Sequence, residues 1–297
     1  MNYQHIVIGN GCDAVSAAVT AAGKSQRVAL VKTTDGFQER VTGPALRQAA
    51  ERLVKSGAIS MPALRREVVR DVQAQMEIDL AELMRLNVDV FTGTVRLIDA
   101  NTVAIQHDQI ITGETIILAC GTKSATIGQS CFDRQVVLAA EDLLSLEGLP
   151  GSMIVVGAGR IGLDHAVVLA LLGVEVTVVD EHSSLFDLCG GLMGGALFEA
   201  QSLDIAFRLG DEVIGVERRS IHPEAAVRLA SGRALRADAV LICIGREGRT
   251  EGMNLESAGV GLDEHGRVWC DASGHTWVPT ITAIGDVIGF RPSLMAG

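Results

Sequence analysis

The chain has 297 residues, 48% hydrophobic and 21% charged, which suggests about two globular domains of ~100–200 residues each and excludes both a disordered chain and one needing disulfide or metal staples. Acidic residues outnumber basic ones, 36 to 25, for a formal net charge of −11. A surface this acidic excludes general affinity for nucleic-acid backbones and anionic membranes, and aromatics at 3% exclude base-stacking platforms.

The N-terminus, MNYQHIVIGNG, has no basic segment before its apolar run, so no secretory signal is expected. A strand over His5–Ile8, a Gly-rich turn, an Ala-rich helix from about Cys12 to Ala22 and a strand over Arg27–Val31 form a β-turn-α-β unit. Residues 33–43 read as loop. Pro44 opens a helix, and Ala45–Lys55 and Ala63–Leu86 have helical periodicity interrupted by Gly57 and Pro62. The charged run Arg65–Asp71 reads as a solvated helix face. Short strands follow over Val88–Phe91, Thr94–Ile98, Thr102–Ile105 and Thr115–Ala119. Ser145–Ser152 (SLEGLPGS) has linker chemistry. A second β-turn-α-β unit begins after it, with strand Met153–Val156, a helix from about Ile161 to Leu172 and strand Glu175–Val179. This apolar stretch carries Arg160, Asp164, His165 and Glu175 and does not read as a membrane span. Val213–Glu217, Ala226–Leu229, Ala239–Ile244 and Thr280–Ile284 are further strands. Cys12, Cys120, Cys131, Cys189, Cys243 and Cys270 lie far apart, with no metal-ligand spacing. They read as mostly buried thiols of a reducing cytoplasm, and no metal site is expected.

The second unit carries Gly157-Ala-Gly159-Arg160-Ile161-Gly162 between a strand and a helix. The first Gly of such a motif permits the tight turn, the second lets backbone N–H groups approach a pyrophosphate, and the third lets helix pack on strand. The helix N-terminus adds positive partial charge for the phosphates. Asp180, 23 positions after Gly157, is placed to accept bonds from a ribose diol and to repel a 2′-phosphate, which favours NAD(H) over NADP(H). The first unit carries Gly9-Asn-Gly11-Cys-Asp-Ala14, with Ala in the third small place. Where an acid is expected at the end of its second strand stands Lys32, read by default as a solvated strand end. Cys189–Gly195 is Gly-rich but lacks the Lys-Ser/Thr ending of a phosphate loop, so it reads as a weakened helix start.

Together with LEGLPGSMIVVGAGRIG, LICIGREGRT and AIGDVIGFRPSLMAG, these modules resemble the FAD-dependent pyridine nucleotide–disulfide oxidoreductases, and within that family the soluble transhydrogenases and dihydrolipoamide dehydrogenases. The resemblance implies an α/β fold of two Rossmann-like dinucleotide-binding domains, the second inserted in the first. The domains would be 1–148 and 246–297 for FAD and 149–245 for NAD(H). It assigns Gly9, Gly11, Ala14, Ala119, Gly121, Gly285 and Asp286 to FAD. Gly157, Gly159, Arg160, Ile161, Gly162, Asp180 and Gly245 fall to NAD(H), and Asp164 to the flavin–nicotinamide junction as the catalytic candidate.

Two departures qualify it. No Cys lies between Lys32 and Pro44, where the family's redox pair belongs, and the Lys that follows that pair is replaced within Thr42-Gly43-Pro44-Ala45-Leu46. The sequence given also stops at Gly297, short of the family's C-terminal dimerisation domain, which leaves the oligomeric state open. The expected activity is therefore hydride transfer from NAD(P)H through FAD to a soluble acceptor, transhydrogenase-like and without disulfide reduction, in the cytoplasm, with small nucleotides as partners. The alternatives are a catalytically silent NAD(H)-binding relative that has lost FAD, and a truncated remnant.

Overall fold

The computed structural model describes residues 1–24, 26–33, 41–106, 109–125, 132–184, 199–200, 202–218 and 224–289. Residues 34–40, Cys131, the run Cys189–Gly195 and the final segment from Phe290 lie outside the described residues, so the expectations on them are not taken further.

The residues form two compact units. The first comprises Met1–Arg40, Val72–Lys123 and Arg246–Gly297. The second comprises Val41–Asp71 and Ser124–Gly245. Both are α/β, built on a Rossmann-like parallel sheet, and the second lies within the chain of the first. Segments 41–71 and 124–148 pack with the second unit although they precede its Gly-rich turn. That unit is therefore larger than the nucleotide-binding module proposed for 149–245.

In the first unit β1 (Asn2–Ile8) lies between β2 (Val28–Lys32) and β6 (Gln109–Leu118), parallel to both. β3 (Asp89–Thr92) extends the sheet beyond β2. β4 (Val95–Leu97) and β5 (Thr102–Ile105) add an antiparallel edge. β6 is longer than the strand expected over Thr115–Ala119, because its first residues pair antiparallel with β5 and its last, Ile116–Leu118, pair with β17 (Ile281–Ala283). Strands buried on both faces read as unbroken apolar runs, as IVI and VALV do here. Helix α1 (Cys12–Ala22) buries Ala14, Val15, Ala18, Ala21 and Ala22 with Val7 and Leu30. Its small side chains bring the helix close to the sheet. The other face carries Ile6, Ile8, Val31, Ile111 and Ile116.

In the second unit the strand order is β11-β10-β9-β15-β8, all parallel. These are Ala206–Leu209, Glu175–Asp180, Ser152–Val156, Ala239–Ile242 and Val137–Ala139. An antiparallel sheet of β12 (Val213–Arg218), β13 (Ala225–Leu229) and β14 (Ala234–Ala237) covers one face through Val216, Val227, Leu229, Ile154 and Val240. Helix α2 (Gly43–Ser56) opens with Thr42 accepting a bond from the Ala45 N–H and ends at Gly57, φ 70°. Helix α3 runs Met61–Arg85 and α4 runs Arg160–Leu171.

Two expectations need correction. The run Arg65–Asp71 is not merely a solvated face. Arg52 of α2 pairs with Glu67 and Asp71, Arg70 bonds the same two carboxylates, and Arg65 donates to the carbonyls of Leu144 and Leu146 at 2.7 Å each. Cys12 is exposed, since it opens α1 on its solvent side, whereas Cys120 and Cys270 are buried. No helix among the described residues is long and apolar enough to cross a membrane.

Candidate functional site

The two Gly-rich turns are built by the same backbone bonds. Gly9 N–H donates to Val31 O at 3.0 Å, and Gly157 N–H donates to Val179 O at 2.8 Å. Ala119 N–H donates to Ile8 O at 2.8 Å, and Cys243 N–H donates to Val156 O at 2.7 Å. Gly9 thus corresponds to Gly157, Ala119 to Cys243, and Lys32 to Asp180. A Cβ on Gly9 would overlap the Ala119 carbonyl, and one on Gly157, at φ 103°, would overlap that of Cys243. Both turns pass against the neighbouring strand too closely for any side chain.

The second glycines differ in kind. A Cβ on Gly11 or Gly159 would meet nothing within 4 Å. These residues are the N-caps of α1 and α4, and no described side chain caps the N–H groups of either first helical turn. That is the geometry a pyrophosphate takes up, and by this test both turns fit a dinucleotide. At the third small position the turns diverge. A Cβ on Gly162 would overlap the Gly157 carbonyl, whereas the first turn accepts the Ala14 methyl, fully buried. Arg160 and Ile161 lie in the first turn of α4, with Arg160 exposed.

The strand ends decide what each turn offers beyond the phosphates. Asp180 is 8% exposed. Its Oδ2 accepts from Ala158 N–H at 2.6 Å, and its Oδ1 accepts from His182 N–H at 2.9 Å and lies 2.8 Å from His182 Nδ1. The acid is locked to the turn it serves. Lys32 in the first unit offers no acceptor there. In its stead Asn10, 1% exposed, ties the turn to the strand end by donating to Thr33 Oγ1 at 3.0 Å.

Of the remaining first-unit candidates, Gly285 lies against the same turn. β17 leads into Gly285, φ 74°, whose added Cβ would overlap the Asp13 carboxylate in the first turn of α1. Asp286 follows and is exposed. The first turn of α1 therefore carries a carboxylate, unlike that of α4, which has no acidic residue. Gly121, φ 66°, leads into β7 (Thr122–Ser124), which pairs with β16 (Arg246–Gly248). Arg246 Nε donates to Thr122 Oγ1 at 2.9 Å and Nη2 to Thr122 O at 2.7 Å, while Arg249 Nε donates to the same carbonyl at 2.9 Å. Sequence reasoning missed this two-arginine clamp because its partners lie 124 and 127 positions apart. In the second unit Gly245 O accepts from Ala125 N–H at 3.1 Å.

Asp164 lies on α4 against the start of α2. A Cβ on Gly43 would stand 2.5 Å from its Oδ2. The next residue, His165, is buried, with Nδ1 2.8 Å from Ile161 O. Burial pushes its pKa down, opposed by the Ile161 and Ala140 carbonyls and by the charges of Asp164 and Glu141. Among the described residues no group of three or more His, Cys, Asp or Glu side chains is placed to hold a metal ion.

Comparison with known proteins agrees with this construction. The family model described as pyridine nucleotide-disulphide oxidoreductase matches residues 3–296. A soluble pyridine nucleotide transhydrogenase of Mycobacterium tuberculosis (strain ATCC 25177 / H37Ra) is 34% identical over 320 aligned positions, covering 99% of this chain and 68% of that protein. The protein of the same name from Colwellia psychrerythraea is 29% identical over 316 positions, covering 99% and 67%. Among solved structures, a Cu(II) complex of the HOCl-induced flavoprotein disulfide reductase RclA from Escherichia coli superposes with TM-score 0.81 at 24% identity, over 98% of this chain and 67% of that one. LpdA from Mycobacterium tuberculosis does so with TM-score 0.81 at 21% identity, over 98% and 69%. These structural likenesses establish the fold alone, and the chain spans about two thirds of the length of each relative.

Proposed function

Because the chain belongs to the pyridine nucleotide–disulphide oxidoreductase family, whose members bind FAD and NAD(P)H, we propose that it passes a hydride from NADH through FAD to a soluble acceptor. A second nicotinamide nucleotide is the favoured acceptor, by analogy with the relatives named transhydrogenases. The observation that carries this proposal is the identical bonding of the two Gly-rich turns, each opening on an uncapped helix N-terminus.

The chain's part in this chemistry is to bind and orient. The first-turn amides of α4, at Arg160, Ile161 and Gly162, would hold the NADH pyrophosphate, and Asp180 would accept from the adenosine ribose. Gly9, Gly11 and Ala14 would hold the FAD pyrophosphate on α1, with Ala119, Gly121, Gly285 and Asp286 framing the same turn. FAD, when bound, supplies a two-electron acceptor that no side chain of the protein can replace. Asp164, held against Gly43, is the proposed acidic group beside the nicotinamide. No Cys occurs between Lys32 and Pro44, so the proposed route takes electrons straight to the acceptor rather than to a cysteine pair in that segment.

One observation favours a second reading, an NAD(H)-binding relative without flavin. Lys32 stands in register where Asp180 stands in the other turn, and Asp13 adds negative charge at the α1 N-terminus. The visible spectrum of the purified, FAD-supplemented protein separates the two. A flavin spectrum that bleaches anaerobically with NADH, and recovers when an oxidised nicotinamide nucleotide is added, is the expected result. A protein that takes up no FAD yet quenches NADH fluorescence establishes the second reading.

A further inference from the structure

The two cradles carry charge of opposite sign at corresponding places. Gly11 and Gly159 are the N-caps of α1 and α4, so Asp13 holds the second helical position in the first cradle and Ile161 holds it in the second. Beside them, Cys12 corresponds to the exposed Arg160. The strand ends are reversed in turn, with Lys32 closing β2 and Asp180 closing β10. A dinucleotide presents an anionic pyrophosphate to the helix and an uncharged diol to the strand end. The second cradle meets both, with a cation beside the phosphates and an acceptor for the diol. The first presents a carboxylate to the phosphates, and an ammonium group such as that of Lys32 accepts no bond from a hydroxyl. The Asp13 carboxylate is exposed and lies against Gly285, where an added Cβ would overlap it. It therefore stands at both α1 and Gly285, two of the elements proposed to frame FAD. The side chain is short, so however it turns its charge remains beside the first turn of α1. There it draws on the same positive end of the helix that a bound phosphate would use.

From this we infer that the first cradle holds FAD as an exchangeable ligand, and that Asp13 is the residue that loosens it. The inference rests on the flavin site proposed above and concerns how tightly that site holds, not which group it takes. The second cradle has no acid in its first helical turn, so no such repulsion acts there.

The test is equilibrium titration of the full chain with FAD, followed by flavin fluorescence, in the parent, in Asp13→Asn and in Asp13→Ala. Asp13→Asn keeps the size of the side chain against Gly285, and a gain in affinity is not produced by a damaged fold. Two unit charges about one helical turn apart in water interact by the equivalent of roughly fourfold in affinity, so both variants are expected to bind FAD at least about threefold more tightly at low salt. At about 1 M salt, where the Debye length is about 3 Å, that gain is expected to shrink. The parent is expected to shed its flavin on gel filtration. Equal or weaker binding in both variants overturns the inference, as does a gain undiminished by salt or a parent that retains flavin through gel filtration. Uptake with the same affinity in all three proteins removes only the role of Asp13 and leaves the flavin reading standing. If none of the three takes up FAD, that reading falls and this inference with it.

Discussion

At their third small position a single methyl group separates the two Gly-rich turns. Ala14 is tolerated in the first, but a Cβ at Gly162 would overlap the carbonyl of Gly157. That contact is with backbone, not with the tip of a flexible side chain, so it is relieved only by moving the turn or the start of α4. Overpacking of this kind costs about 1–3 kcal/mol, and the displaced first-turn amides are the ones proposed to hold the phosphates. Gly162→Ala is therefore expected to lower the urea midpoint and to weaken NADH binding together. A Gly162→Ala protein that binds NADH like the parent would show that the turn has room the backbone distances deny.

At the level of elements, α2 and α3 are joined by charge. Arg52 reaches Glu67 and Asp71, and Arg70 shares both carboxylates. The side chain of Arg52 is 39% exposed and those of its partners are 24% and 34% exposed, so solvent screens the pairs. Arg52→Ala is expected to cost no more than about 1 kcal/mol, measured as a urea midpoint, with much of the loss gone at high salt. A larger, salt-insensitive loss would mark the network as desolvated. The helices themselves are legible in the sequence. Cys12–Ala22 follows from its Ala periodicity, and α2 begins two residues before the expected Ala45 because Thr42 caps it. Short strands divide: Thr102–Ile105 is legible from its apolar run, but two others are not. Val137–Ala139 has no alternation to read, and Ala234–Ala237 has only Leu235 as a large apolar residue, yet long-range pairing makes both into strands. The site divides in the same way. Asp180 is legible because a parallel strand fixes its distance from Gly157, whereas the docking of His182 and the Arg246–Thr122 clamp arise from turn geometry and from contacts far apart in the chain.

For the whole molecule, one buried imidazole contributes to the acid limb of stability. His165 sits on α4 immediately after Asp164, with its Nδ1 placed to donate to Ile161 O. Burial lowers its pKa below the ordinary 6.5, and the carbonyls and acids around it offset that only in part. The folded state therefore binds fewer protons than the unfolded state between the lowered value and 6.5. Stability rises with pH across that window and declines as pH falls below about 6.5. Carboxylates such as Asp133 and Asp263 act lower on the scale. Burial raises each, but backbone N–H bonds to residues 135–137 and to 265 and 267 outweigh it and hold them below the ordinary carboxylate value of 3.8. Their contribution is present above that value and is lost as pH drops through the lowered ones. Two separate acid regimes follow, and only the upper one belongs to His165. In His165→Gln, which keeps a donor for the Ile161 carbonyl but cannot titrate, the urea midpoint is expected to fall less steeply than the parent's as the pH drops below 6.5. A variant whose midpoint still declines from pH 7 to pH 5 as steeply as the parent's would move the upper regime to another group.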